Sequence, residues 1–196
     1  TTDPNVSNNS SVDVDTSAPR YVTVDVNSYS ATELVTDVLI DSGCAVVSNF
    51  SVPNNCVNGG SPLGYFQSNN STFPFRDGLV LRTGPAIIVA GHYGTAPVVA
   101  SESCGGGSDP DLVALAASIG QFSSINDAVN LSFDFTPLTD SFSFRFIFAS
   151  QEYGNFQCAF ADVFMFKLTN LVTGTSQNLA VLPNMTPISV TTIRDN

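Results

Sequence analysis

The chain has 196 residues, with 17 acidic against 6 basic side chains and a formal net charge of −11. No basic patch that could displace the counterions of a nucleic acid can be built from this balance, and anionic lipid is disfavoured for the same reason. The 43% apolar content, which includes 15 Phe and no Trp, is enough for a real core, but no apolar run approaches the ~20 residues that cross a bilayer.

Residues 1–20 are Asn, Ser, Thr and Asp with almost nothing to bury, and read as an extended polar leader. Within it "SVDVD" (11–15) alternates, with Val12 and Val14 on one face. The remainder, 21–196, reads as a single domain. "YVTVDV" (21–26) alternates as a strand does. Ser30-Ala31-Thr32-Glu33 is a capping box: the Ser30 hydroxyl can accept from the Glu33 amide, and the Glu33 carboxylate can reach back to the Ser30 amide. Leu34, Val35, Val38 and Leu39 follow at helical spacing, which predicts a short helix over about 30–41, stopped by Gly43. Ala45 to Phe50 predicts a buried strand. Residues 53–74, rich in Pro, Asn, Gly and Ser, predict a loop. "GLVLRTG" (78–84) and "AIIVA" (86–90) predict two short strands broken at Gly84-Pro85.

"CGGGSDPDLVALA" (104–116) reads as a flexible loop entering a helix over 110–118, with Asp109 at the N-cap and Pro110 in the first helical position. From there the chain is β. Leu131, Phe133 and Phe135 alternate with polar residues, and a turn follows at Pro137 to Asp140. Phe142, Phe144, Phe146 and Phe148 then share one face of a predicted strand, with Ser141, Ser143 and Arg145 on the other. The four Phe are expected in the core. "DVFMFKL" (162–168), "NLAVL" (178–182) and "ISVTTI" (188–193) predict the last strands. Phe-rich strands of period two with only two short helices predict a mainly β fold, a β-sandwich of antiparallel strands.

The segment "FASQEYGNFQCAFADVF" (148–164) raises a chemical question, because a polar loop with carboxylates near both ends joins two apolar strands. In an acidic chain, Glu152, Asn155 and Asp162 could offer oxygens to Ca2+, with Asp109 and Asp111 contributing if the Gly-rich loop folds against this hairpin. The same acids have plainer uses. Asp109 and Asp111 suit a helix start, and Glu152 or Asp162 could pair with Arg145 or Arg76. No D-x-D-x-D-G loop is present. Four cysteines and a single His fit an oxidising compartment better than a zinc site. A cysteine lies beside each acidic segment, so a Cys104–Cys158 disulfide would pin the two together, and Cys44 and Cys56, twelve apart, would then close a local loop. Enzymatic readings find less support. A nucleophilic triad would need His92, the sole imidazole, and no G-x-S-x-G elbow accompanies it. A glycan-active hydrolase could use Glu152 and Asp162 as its carboxylate pair.

The blocks "ELVTDVLIDSGCAVVSNF", "GYF…FPFRDGLVLRTG", "GGGSDPDLVAL", "LSFDFTPLTDSFSFRFIFASQEYGNFQCAFADVFMFKLTN" and "NLAVLPNMTPISVTTIRDN", in this order, resemble the choice-of-anchor L domain from about residue 21 to 196. The Phe-Ala-Ser-x-Glu-Tyr plus Asp-x-Phe pair is the most specific part, and the family's usual Ser-Glu-Glu-Tyr stands here as Ser150-Gln151-Glu152-Tyr153. The resemblance implies a module of large bacterial surface or secreted proteins, many from gliding and biofilm-forming Bacteroidetes, with adhesion as the usual inference. It also implies further strands beyond "TTIRDN", hence an incomplete C-terminal edge.

Together these expectations describe an extracellular, non-catalytic adhesin or surface-assembly module, with Ca2+ as a candidate stabiliser. Expected partners are other surface proteins or copies of the chain itself, joined through exposed sheet edges, and glycans or surfaces; nucleic acid and membrane insertion are not expected. The alternatives are a surface-filament subunit that uses strand exchange and the glycan-active hydrolase. In the strand-exchange version a neighbouring protein holds the leader through main-chain hydrogen bonds.

Overall fold

The computed structural model describes residues 21–40, 44–90, 103–121, 124–150, 152–153, 156 and 162–193. The leader, Gly43, His92, Gln151, Asn155 and Cys158 lie outside these residues.

Strand β1 (Thr23–Asp25) is shorter than the alternation predicts. The capping box forms as expected. The Glu33 amide donates to Ser30 Oγ at 3.2 Å, and the Ser30 amide donates to Glu33 Oε2 at 2.7 Å. Helix α1 (Ala31–Glu33) starts there and widens into a π-helical stretch over Leu34–Leu39, burying Leu34 and Val35. Strand β2 (Ala45–Ser51) follows, but not as a buried strand, since Val46 is 59% exposed. Among the described residues it pairs with β5 (Ser132–Pro137), antiparallel, and the register shifts between Ser48 and Ser51, where Asn49 takes φ 53°.

Two expectations fail between these strands and the second helix. The predicted loop 53–74 contains β3 (Leu63–Gln67), the central strand of the three-stranded sheet β1-β3-β4, with β4 at Asp77–Leu81. The predicted strand at 86–90 is a 3-10 turn over Ala86–Val89. Pro85 opens that turn, and the Ala86 amide is already spent on the Ser61 carbonyl at 2.7 Å. The apolar residues of "AIIVA" are used as a plug: Ala86 is fully buried against Val24 and Phe66, and Val89 and Ala90 pack at the rim of the same cluster.

Helix α2 (Pro110–Ser118) forms as predicted, with Asp109 Oδ1 accepting from the amides of Asp111 and Leu112. The loop before it is tied down on several sides. The Cys104 amide donates to the Thr83 carbonyl at 3.0 Å, and the Ala128 amide to the Gly107 carbonyl at 3.0 Å. The remaining strands are β6 (Val163–Phe164), β7 (Lys167–Thr169), β8 (Ser176–Asn178) and β9 (Ile188–Ser189). They pair as β6-β9 and β7-β8, all antiparallel. The expected single strand 162–168 is thus split in two, and "NLAVL" keeps only Asn178 in a strand and an isolated bridge from Val181 to Pro187. The mainly β, antiparallel architecture with two short helices is the one expected.

The predicted strand over 141–148 does not form, and its four Phe do not enter the core. Phe142 is 43% and Phe146 41% exposed, while Phe144 and Phe148 are half-buried. The shared face is nonetheless real. Phe135, Phe142, Phe144 and Phe166 stack edge to face in succession at 5.1, 5.6 and 4.8 Å, and Phe146 and Phe148 both approach Phe164. Alternation sets which side chains align; only a second layer can bury them.

Candidate functional site

The structure brings Glu152 and Asp162 together through a circuit of hydrogen bonds. The Asp162 amide donates to Glu152 Oε2 at 3.2 Å. The Ser150 hydroxyl donates to Asp162 Oδ2 at 2.9 Å and accepts from the Glu152 amide at 3.2 Å. The Val190 amide donates to the Asp162 carbonyl at 3.1 Å, which fixes the corner to β9. The two acids therefore clasp the ends of the polar loop. Ser150 is the residue that sequence reasoning left without a role, although Ser-x-Glu two apart is the spacing of a side-chain turn.

The clasp carries an electrostatic cost. Burial pushes the Glu152 carboxyl above the usual carboxylate range, and the nearby Asp162 charge pushes it further, against the lowering effect of the Asp162 amide. Burial and Asp162 also raise the Tyr153 phenol. Neither arginine offered by the sequence relieves this. Arg76 pairs with Asp77 at 3.2 Å, and the Arg145 guanidinium lies 4.9 Å from the Phe75 ring centre.

Asp109 and Asp111 are employed elsewhere. Asp109 caps α2, and Asp111 Oδ2 pairs with Lys167 Nζ at 2.6 Å. That pair links α2 to the start of β7, so the helix does lie near the hairpin region, but with a cation between them. Asn155 lies outside the described residues. Among the described residues, no group of three or more His, Cys, Asp or Glu side chains could hold a metal ion.

The disulfide pairing is corrected. Cys56 bonds to Cys104, 48 residues apart, and both are buried. Cys44 is exposed and free, so neither Cys44–Cys56 nor Cys104–Cys158 forms. The pairing follows from the sheet. The Ser61 and Thr83 carbonyls take the amides of Ala86 and Cys104, which draws the loop after β2 and the Gly-rich loop to the same end of β3 and β4. The bridge that was to join the acidic segments instead locks the Gly-rich loop to the β1-β3-β4 sheet.

Two grooves on the described surface are lined by residues other than Glu152 and Asp162. Among the described residues no helix is long and apolar enough to cross a membrane. A model of the family described as Choice-of-anchor L domain matches residues 23–196. No curated protein and no solved structure matches.

Proposed function

The chain belongs to the choice-of-anchor L domain family, and from that premise we propose that it is a non-catalytic adhesion or surface-assembly module working outside a bacterial cell. The family assignment makes it a cell-surface or secreted module. The step to assembly rests on one observation, the row of phenylalanines over 142–148. Phe142, Phe146 and Ile147 are each more than 40% exposed on a segment that belongs to no strand. Exposed aromatic rows of this kind are costly in a solitary protein and mark contact surfaces. The partner proposed is a second copy of the chain or another surface protein that covers this row.

Sedimentation velocity tests the reading. The wild-type chain should self-associate at micromolar concentration or bind its surface partner. The double variant Phe142→Ser, Phe146→Ser should lose that association with little change in melting. Equal behaviour of the two proteins would remove the aromatic row from the argument.

The proposal includes Ca2+ as a stabiliser at the Glu152–Asp162 clasp. What supports it is the pair of close carboxylates, one of them already held toward its protonated form. A cation there would relieve the repulsion, with backbone carbonyls and water completing the shell. A hydrolase reading would use the same raised Glu152 as a general acid.

A further inference from the structure

The antiparallel pairing of β1 with β3 sorts its residues onto two faces. Val24 sits opposite Phe66, and both are buried in the core cluster. On the other face Thr23 sits opposite Gln67 and Asp25 opposite Tyr65. Tyr29, in the turn after β1, folds back over this face, its ring 4.9 Å from that of Tyr65 and tilted by 48°. These side chains, with Ser28, line an open groove of about 370 Å3. Small-molecule sites run from about 300 to 1,000 Å3.

We propose that this groove is a binding site for a neutral oligosaccharide. A pyranose ring offers an apolar C–H face and a rim of hydroxyls, each both donor and acceptor. The groove matches both. Tyr29, 37% exposed, and the half-buried Tyr65 give a broad aromatic surface against which the ring can lie. Around it stand a carboxylate, an amide and hydroxyls. Asp25 Oδ1 is held by the amides of Asn27 at 2.8 Å and Ser28 at 3.0 Å, so the carboxylate is set in place before any ligand arrives. The Gln67 amide lies beside the Tyr65 hydroxyl, with Nε2 3.4 Å from Oη. Thr23 Oγ1 is fixed by the Asn69 side chain at 2.9 Å. Fixed polar groups lose little freedom on binding.

Other ligand classes fit less well. An anion would meet the Asp25 carboxylate, which its hydrogen bonds keep ionised, on a chain of net charge −11. A quaternary ammonium needs ring walls far enough apart to admit it. Tyr29 and Tyr65 pack against each other and leave no such gap. The ligand is an oligosaccharide rather than a single sugar because Tyr29 also lines a second groove, of about 250 Å3, together with Val52 and Pro53.

The site is remote in sequence from the phenylalanine row and the carboxylate clasp, and it does not depend on either. The test is ligand-observed NMR on the full chain with cellohexaose, maltohexaose, chitohexaose and mannohexaose, and with tetramethylammonium as a cation probe. At least one hexasaccharide should receive saturation from the protein. Tyr29→Ala should weaken that ligand about tenfold or more, as truncation of an aromatic anchor does. Tyr29→Phe should keep it, Gln67→Ala should weaken it, and Tyr153→Ala should leave it unchanged. Melting curves check that each variant folds. Silence from all four saccharides, equal binding to Tyr29→Ala, or displacement of the sugar by tetramethylammonium would overturn the proposal. None of these results would touch the assembly reading, which sedimentation tests separately.

Discussion

Single residues show most clearly what pattern can and cannot give. Ser30, Glu33 and Asp109 were legible because a cap is a local contract between a side chain and amides two or three residues away. Glu152 and Asp162 were legible as a pair because one loop joins them, whereas the use of Asp111 by Lys167, 56 residues distant, was not. Phe142 and Phe66 make the same point about burial. Phe66 is 8% exposed, so Phe66→Ala should cost about 3–5 kcal/mol. Phe142 keeps much of its ring in water, and Phe142→Ala should cost about 1 kcal/mol. Urea titration of both variants checks the contrast; equal losses would place Phe142 in the core. Glu152 supplies a pH prediction. Its carboxyl is raised from the ordinary 4.5, so the folded state binds the proton more tightly than the unfolded chain does. The advantage is full below the ordinary value and disappears as pH rises through the folded one. Glu152→Gln should therefore remove this decline and match or exceed the wild type at neutral pH. Calcium should raise the wild-type midpoint at neutral pH and leave that of Glu152→Gln unmoved. A midpoint unaffected by calcium or chelator in the wild type would reject the cation.

At the scale of elements, the misses share a physical cause. "AIIVA" and "LGYFQ" are both short apolar runs, and periodicity alone cannot say which becomes a strand. The choice was made by neighbours. Gly64 and Gly78 let β3 sit close to β1 and β4: a Cβ on Gly64 would lie 2.9 Å from Val24 Cγ1, and one on Gly78 would lie 2.8 Å from the Phe66 ring. Pro85 meanwhile turned the other run into a plug. The disulfide was missed for a related reason. Cys104 and Cys158 were paired because each lies in sequence beside an acidic segment, but the bridge follows the ends of β3 and β4, which meet the Gly-rich loop only once the sheet exists. A bridge spanning 48 residues removes unfolded-chain entropy worth about 4 kcal/mol in the loop-closure model. The double variant Cys56→Ser, Cys104→Ser should lose a large part of that in denaturant titration and should loosen the 103–107 loop to proteolysis. A variant as stable as the wild type would show that the hydrogen bonds from Cys104 and Ala128 suffice on their own.

For the whole molecule the open question is what covers its exposed surfaces. Among the described residues the sheet β1-β3-β4 ends in β1 on one side and β4 on the other, and β6-β9, β7-β8 and β2-β5 each pair two strands. Two-stranded sheets are marginal in isolation and gain from added strands. Edges of this kind are where an extended segment adds by main-chain hydrogen bonds. This is the observation behind the strand-exchange reading, in which the chain is a filament subunit and Val12 and Val14 of "SVDVD" supply the inserted face. Cover of the phenylalanine row by a second copy and insertion of residues 11–15 into a neighbour make different demands on the leader. Deleting residues 1–18 separates them. Strand exchange requires that the truncated chain lose assembly while its melting curve stays put, because the segment serves the neighbour and not its own fold. Side-by-side contact through Phe142 and Phe146 requires that the truncated chain assemble as before. Sedimentation of the truncated chain, alone and mixed with the full chain, decides between them. In the mixture the exchange mechanism predicts chain ends capped by the truncated copy, which can accept a strand but cannot donate one, and therefore shorter assemblies as its fraction rises.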